Sequence, residues 1–240
     1  MNSVSKYKKE LKLEPIIAGK APNLSQLNAG HKKYIYKLRR IEISHVNQVW
    51  STDITYIKVE GSNVYLAAII VWYSKAILAH SISNTMDAAF VTSVLNEAIR
   101  KHGKPEIFNT DQSFQYTSND HTDILRENRI EISMDGKGRA TNNICIERFW
   151  RSEKCEIVCL FNFESRKHLK ESINKYICFY NFERYHEFLG YLKPMDVYNQ
   201  KLLDPKIKGR KRKKSLSTSF SWGDILEEIF TYHTICVTMY

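Results

Sequence analysis

The chain has 240 residues, of which 43% are hydrophobic and 12% aromatic, a composition that supports one sizeable folded core and excludes general disorder. Its basic excess lies at the ends: residues 1–40 carry a formal charge of +8 and residues 206–214 one of +7, whereas residues 41–205 carry −2. A near-neutral core with basic flanks favours nucleic acid as partner, because cationic side chains displace the counterions condensed on phosphates. Charge alone also fits solvated tails or anchors for acidic lipid, so both alternatives stay open.

The sequence contains no segment that predicts membrane insertion or secretion. The longest wholly apolar run, residues 64–73, is far shorter than the roughly 18 residues expected of a membrane-spanning helix. The N-terminus lacks the apolar stretch of a secretion signal, and the five cysteines are odd in number and unpatterned. We therefore expect a cytoplasmic protein, associated with the nucleoid if nucleic acid is its partner.

The first half of the chain predicts an arm, three strands and a helix. Residues 1–45 combine prolines, asparagines and lysines without sustained periodicity, which indicates irregular structure. Alternation and β-branched side chains predict three consecutive antiparallel strands: WSTDITYIKVE from residue 50, VYLAAIIVWYS after a turn at residues 61–63, and AILAHSIS. Residues 87–102 place apolar side chains on one helical face and are followed by Gly103, which predicts a helix that ends there.

The second half alternates strand and helix, which favours a mixed α/β sheet. The pattern predicts a strand at residues 106–109, a helix at 120–128 and a strand at 130–134. A glycine-containing loop at 136–138 and two longer helices, at 143–159 and 166–180, are predicted to follow. Pro194 is expected to close a short turn. The segment that follows the basic run at residues 206–214 has no clear relation to what precedes it.

Three carboxylates fall where folding could bring them together. Asp53 lies inside the first predicted strand, Asp111 just past a later strand, and Glu147 early on a helix. Phosphoryl transfer assisted by metal ions uses hard oxygen ligands on rigid elements around two Mg²⁺ ions about 3.5–4 Å apart. Arg151 and Lys154 follow the glutamate by four and seven residues, on the helical face where they could hold DNA phosphates. A chain with 26 acidic residues contains some such trio by chance, so the surrounding sequence must decide.

The segments around these acids resemble those of a known family. WSTDITYI, NTDQSFQYTS and NNICIERFWRSEK, with 35 residues between Asp111 and Glu147, resemble the catalytic segments of insertion-sequence transposases of the second-reading-frame (OrfB) class, which have a retroviral-integrase-type DDE core. The resemblance extends from His31 to Tyr198. It implies an α/β fold of the ribonuclease-H-like type, a five-stranded mixed sheet of order 3-2-1-4-5 with helices on both faces. It also implies that Asp53, Asp111 and Glu147 form the catalytic, metal-binding triad.

The resemblance implies the activity and the partners as well. Two Mg²⁺ or Mn²⁺ ions per active site would activate water to free a 3′-hydroxyl at the end of an insertion sequence, and that hydroxyl would attack target DNA. The implied partners are DNA, further copies of the chain in a synaptic complex, and a helix-turn-helix companion protein from an upstream reading frame. Contacts with DNA are expected from basic side chains and one histidine: Lys154, Arg151, Arg148, Arg184, His186, Lys211 and Arg212. For Arg184 and His186, bracing of the catalytic helix is the alternative.

On this basis we divide the chain into three regions. A basic irregular N-terminal arm covers residues 1–45, an integrase-type catalytic core with terminal helices covers residues 46–200, and a basic linker with a divergent C-terminal tail covers residues 201–240.

Several positions near the expected site depart from the family pattern. Val71 stands where an aspartate is usual, and Asn142 where another aspartate is usual. Ser113 and Phe114 stand where glycine and serine are usual, and because a side chain replaces the glycine we expect local backbone strain. Glu153 replaces an apolar residue, and its burial would cost several kcal/mol unless it were neutralised or paired. These departures leave two alternatives open: a decayed, catalytically dead DNA-binding remnant, and a ribonuclease-H-like nuclease acting on RNA–DNA hybrids or Holliday junctions.

Overall fold

The computed structural model of the chain describes residues 10–11, 32–136 and 143–199. In this part of the chain, five strands form one sheet in the order β3-β2-β1-β4-β5. The strands are Val49–Val59 (β1), Ser62–Val71 (β2), Ile77–Ser83 (β3), Ile107–Thr110 (β4) and Glu131–Met134 (β5). β2 pairs antiparallel with β1 and β3, whereas β4 pairs parallel with β1 and β5. The predicted mixed sheet and its strand order are confirmed.

The β1–β2 hairpin fixes the register of the central strands. Val59 pairs with Ser62, so the connection consists of Glu60 and Gly61, one position earlier than the predicted turn. Both residues have positive φ, 50° and 77°, as a type I′ turn requires. This turn matches the twist of the two strands and places Asp53 opposite Ala68.

Helices cover both faces of the sheet, as the resemblance implies. One face carries Ala88–His102 (α1), Phe114–Thr117 (α2) and Asn119–Glu127 (α3), and the other carries Ile144–Glu153 (α4) and Arg166–Phe182 (α5). Asp87 caps α1 by accepting a hydrogen bond from the backbone N–H of Phe90 at 2.8 Å, and Gly103 ends the helix with φ 79°. The short helix α2 was not predicted.

The chain beyond α4 differs from the prediction in two places. Residues Lys154–Val158 continue α4 as a π-helical turn, so the α-helical part is shorter than predicted. Pro194 begins a short helix, Pro194–Tyr198 (α6), instead of closing a turn, because its fixed φ and missing N–H suit the first helical position. A 3₁₀ turn, Glu187–Leu189, lies between α5 and α6.

Two apolar clusters sandwich the sheet and determine which way the strand residues face. In β2, Ala67 and Ile69 pack towards α1 and α3, whereas Leu66, Ala68 and Ile70 pack towards α4 and α5. Burial on both faces explains the continuous apolar run of β2. Because opposite residues of an antiparallel pair share a face, residue 53 faces the α4 side together with Ala68.

The described part of the N-terminal arm runs along the outer strand of the sheet. Residues 32–45 contain no helix or strand. The backbone N–H of Lys37 donates to Ser133 Oγ at 3.1 Å, and Lys37 Nζ lies 2.6 Å from Glu131 Oε1. These contacts, both with side chains of β5, hold this segment beside the edge strand of the sheet. No helix in the described segments is long and apolar enough to cross a membrane.

Candidate active site

Two of the three predicted acids come from neighbouring strands at the same level of the sheet, Asp53 within β1 and Asp111 just after β4. The parallel register pairs Ser51 of β1 with Asn109 of β4, so the residues two positions further on, Asp53 and Asp111, lie beside each other. Asp111 directly follows β4, and its Oδ1 accepts a hydrogen bond from the backbone N–H of Ser113 at 2.9 Å. Strand pairing positions Asp53, and a local turn holds the carboxylate of Asp111.

Two hydrogen bonds dock α4 onto β1 beside Asp53. Trp150 Nε1 donates to Asp53 Oδ2 at 3.2 Å, and Asn143 Nδ2, just before the helix, donates to the backbone carbonyl of Thr52 at 3.0 Å. Glu147 lies in the first turn of α4, three residues before Trp150, and its side chain is exposed. Since residues three apart lie on the same side of a helix, these contacts bring Glu147 towards Asp53.

The charges of Asp111 and Glu147 both act on the carboxyl group of Asp53. The pKa of Asp53 is raised to about 7, first by burial and next by the charge of Asp111, with a smaller contribution from Glu147; hydrogen bonds from the Ile54 backbone and Trp150 oppose the shift. Burial also raises the pKa of Asp111 and that of Glu147. Negative charge is therefore concentrated at this edge of the sheet, on groups from three separate elements.

A fourth carboxylate, which the sequence analysis missed, belongs to the same edge. Asp135 directly follows β5, is only 8% exposed, and accepts a hydrogen bond from Asn109 Nδ2 at 3.0 Å. Burial raises its pKa to about 6, and the charges of Asp111 and Glu147 add to the shift. A signal was present in the sequence, because an acid just after a strand parallel to β4 falls beside Asp111, but the family motifs do not include this position.

The acids do not form a ready-made metal cage. Within residues 32–136 and 143–199, no group of three or more histidine, cysteine, aspartate or glutamate side chains meets the geometry of a metal site. The site is thus a set of hard oxygen donors in which the charges of Asp111 and Glu147 act on Asp53 and Asp135. Such a set can attract and bind hard divalent cations more readily than soft ones.

The structure also locates the departures from the family pattern. The expected strain at Ser113 and Phe114 is absent: Ser113 has φ −68° and ψ 159° before the first turn of α2, and no residue from 111 to 115 has positive φ. This expectation was wrong because the segment uses Ser113 as a helix N-cap position, which any L-residue can adopt. Val71 is fully buried in the apolar core, so no polar group replaces the usual aspartate.

Glu153 is buried, and the structure gives its carboxylate no hydrogen-bond partner. The residue is 0% exposed, at the end of α4, and both carboxylate oxygens lack a partner. Burial raises its pKa to about 8, against a small lowering by Lys154. The carboxyl group is therefore mostly neutral at pH 7, the condition under which such burial is tolerable.

The predicted DNA contacts fall into three groups. Arg148 and Arg151 are exposed on α4, and Lys154 is half-buried, with Nζ 5.7 Å from the ring centroid of Tyr56. Lys211 and Arg212 lie outside the described residues. Asn142, one of the departures from the family pattern, also lies outside them.

Arg184 and His186 contact the protein itself. The guanidinium of Arg184 pairs with Glu156 of the π-helical turn at 2.5 Å. The His186 ring packs edge-on against Tyr180 at 4.7 Å, and burial together with the charge of Arg184 lowers the His186 pKa to about 4. Arg184 thus connects the segment after α5 with the end of the α4 helix.

Comparison with known proteins assigns this core to a family. Two family profiles, both described as "Integrase core domain", match residues 44–140 and 128–194, which together make up more than half of the chain. Transposase InsF for insertion sequence IS3fB of Escherichia coli (strain K12) is 35% identical over 159 residues, which are 65% of this chain and 55% of that protein. Putative transposase InsK for insertion sequence element IS150 from the same strain is 30% identical over 165 residues, 68% of this chain and 58% of that protein. The chain thus spans a little over half the length of these relatives.

Solved structures share the fold at low sequence identity. The catalytic core domain of BIV integrase aligns with a TM-score of 0.53 and 12% identity, over 65% of this chain and 95% of that one. A chain of the simian T-cell lymphotropic virus intasome, in complex with PP2A regulatory subunit B56 gamma, aligns with a TM-score of 0.55 and 17% identity, over 81% of this chain and 67% of that one. The chain belongs to the integrase core domain family, as a relative of insertion-sequence transposases.

Proposed function

We propose that the chain is a DDE transposase that cleaves DNA at the ends of an insertion sequence and joins the freed ends to target DNA. The observation that supports this most directly is that the strand register places Asp53 beside Asp111 and that the charges of Asp111 and Glu147, from two other elements, raise the Asp53 pKa. The same three residues carry the family resemblance. Their assignment as the catalytic triad is part of the proposal.

The donor set suits divalent metal ions. Carboxylate oxygens are the ligands that Mg²⁺ and Mn²⁺ prefer, and carboxylates that repel one another in a partly buried site are stabilised by a cation between them. Asp53, Asp111 and Glu147 would hold two such ions. When bound, the ions would lower the pKa of the attacking oxygen and stabilise the leaving oxygen at phosphorus.

The protein's own residues orient these ligands and the DNA. The indole of Trp150 restrains the carboxylate of Asp53, and the backbone N–H of Ser113 restrains that of Asp111. Arg148 and Arg151, exposed on the helix that bears the glutamate, are available to neutralise phosphates. No side chain has to act as a nucleophile, since the attacking oxygens belong to water and to the 3′-hydroxyl of DNA.

The proposal includes the partners and the organisation of the whole protein. Two DNA ends have to be joined together, so we expect at least two copies of the chain in a synaptic complex. A helix-turn-helix companion protein would recognise the ends. The basic arm, the linker and Lys211 and Arg212 would add contacts with the DNA backbone.

A strand-transfer assay with matched variants tests this function. The full chain is incubated with Mg²⁺ and a labelled duplex copied from the DNA that flanks the gene, where the proposed function predicts an inverted repeat. We expect joined products from the wild type and from D123N, which removes an exposed acid on α3, and none from D53N, D111N or E147Q. D53N should retain most of the DNA affinity, because Asp53 is proposed to bind metal and not phosphate.

Other outcomes would point to a different function. Strand transfer by D53N at the wild-type rate would refute the assignment of the triad. Cleavage of hybrids or junctions without joining would favour a nuclease, and DNA binding with no nicking at any Mg²⁺ concentration would favour an inactive remnant.

A further inference from the structure

The loop between α5 and α6 exposes aromatic rings that the proposed chemistry does not use. Tyr185, Phe188 and Tyr191 are 65%, 74% and 58% exposed. Three large rings within seven residues form a concentration of exposed apolar surface that usually marks a binding site. Tyrosine and phenylalanine also provide flat faces on which other rings can stack.

The loop is held in shape by its own backbone. His186 and Leu192 form an isolated antiparallel bridge, with the His186 N–H donating to the Leu192 carbonyl at 3.1 Å. Gly190 and Tyr191 both have positive φ, 69° and 63°, which turns the chain back on itself. The His186 ring packs inward on Tyr180, whereas the preceding residue, Tyr185, is directed away from the core, as alternation along an extended chain requires.

Lysine ammonium groups lie against two of the three rings. Lys75 Nζ is 4.7 Å from the ring centroid of Phe188, and Lys193 Nζ is 5.5 Å from that of Tyr185. Lys75 comes from the turn between β2 and β3, and its Nζ also lies 3.2 Å from Sγ of Cys145. Cys145 is two residues before Glu147 on α4. The aromatic loop is therefore joined, through one lysine, to the helix that carries the proposed catalytic glutamate.

We propose that this aromatic–lysine surface, formed by Tyr185, Phe188, Tyr191, Lys75 and Lys193, binds an unpaired stretch of DNA next to the active site. The inference rests on the proposed function, because it concerns the strand that the site would cut or join. Aromatic rings stack on bases of any sequence, and cations beside them neutralise the adjoining phosphates.

The charges favour DNA over a second copy of the chain as the occupant. In a symmetric contact the same patch meets itself, so the lysines of one copy would face those of the other without compensation. Glu187 lies between the exposed rings of Tyr185 and Phe188 in the sequence, and its replacement by lysine should strengthen the binding of a polyanion. A protein partner has no comparable requirement for cations beside exposed rings.

The test measures binding of a labelled single-stranded thymidine oligonucleotide by fluorescence anisotropy, with EDTA present so that no metal contributes. F188A and Y185A should each weaken this binding by roughly tenfold, whereas F188Y and Y185F should bind as the wild type does, because they keep the stacking face. E187K should tighten it. F161A, which removes an exposed ring outside the loop, serves as the matched control. Circular dichroism confirms that each variant is folded.

Two results would overturn the proposal. The first is wild-type affinity for single-stranded DNA in F188A, Y185A and Y191A alike. The second is a change of oligomeric state in F188A with DNA affinity intact, which would assign the surface to contacts between copies. Comparison with D53N separates this inference from the proposed function. If neither D53N nor the wild type joins DNA, but both bind the single-stranded oligonucleotide more tightly than F188A does, the catalytic assignment fails and the binding surface stands.

Discussion

The buried carboxyl group of Glu153 allows a quantitative prediction about stability. Its folded-state pKa is about 8 against an ordinary value of 4.5, a difference caused by burial. Because the folded state holds the proton more tightly, ionisation of the group costs no stability at low pH, where it is protonated in both states. As the pH rises from about 4.5 to 8, the unfolded chain loses the proton first, and the free energy of unfolding decreases.

The size of the effect follows from the same two pKa values. Each pKa unit corresponds to about 1.4 kcal/mol, so the group should lower the free energy of unfolding by roughly 3 kcal/mol at pH 7 and by roughly 1 kcal/mol at pH 5. Substitution by glutamine keeps the shape and removes the titration. We therefore expect E153Q to be more stable than the wild type by an amount that grows by about 3 to 4 kcal/mol between pH 5 and pH 8.

Urea denaturation of both proteins at several pH values, in EDTA, measures this difference. Comparison of the two proteins cancels the other groups that titrate in this range, since they are common to both. E127Q, which removes an exposed glutamate at the end of α3, is the control and should leave the pH profile unchanged. A stability difference between E153Q and the wild type that does not vary with pH would refute the reasoning.

Three further predictions concern the site. Mg²⁺ or Mn²⁺ should raise the thermal midpoint of the wild type in calorimetry and leave D53N unaffected, because the cation would bind only the folded arrangement; equal shifts in both proteins would contradict a site at Asp53. D135N should weaken divalent-ion binding several-fold in isothermal titration calorimetry, since one of four neighbouring negative charges is lost. Unchanged affinity would show that Asp135 does not interact electrostatically with the bound ions. W150F keeps a ring in the core but removes the hydrogen bond to Asp53, so strand transfer should fall by about tenfold while DNA affinity is unchanged. Strand transfer at the wild-type rate would show that the indole contact has no positioning role.

Much of the fold could be predicted from local patterns, because β1 alternates, β2 is one long apolar run and α1 keeps a helical spacing over its whole length. Helix α2 was missed because its four residues are too few to establish a period. The π-helical turn after α4 was missed because one inserted residue per turn leaves the apolar spacing almost unchanged over five residues. At Pro194 the local signal was ambiguous, since proline is favoured both in turns and at the first position of a helix.

The site was only partly accessible from the sequence, for a different reason. Asp53, Asp111 and Glu147 were chosen by the motifs around them. The side chains of Asn143 and Trp150, which hold α4 against β1, make contacts across 91 and 97 residues of sequence. Contacts of that range depend on how the layers pack, and no local pattern encodes them.

Helix α4 connects these observations, because one element serves both the core and the site. Ile146 and Phe149 pack in the cluster beneath the sheet, and Trp150 belongs to that cluster while its indole reaches Asp53. The position of Glu147 therefore depends on how firmly the helix is packed. Glu153 ends the same helix, and the cost of keeping its carboxyl group buried increases as the pH rises. Removal of that charge should strengthen the packing of α4 without altering any acid at the site, so E153Q should keep joining DNA at pH 8 at temperatures where the wild type has unfolded.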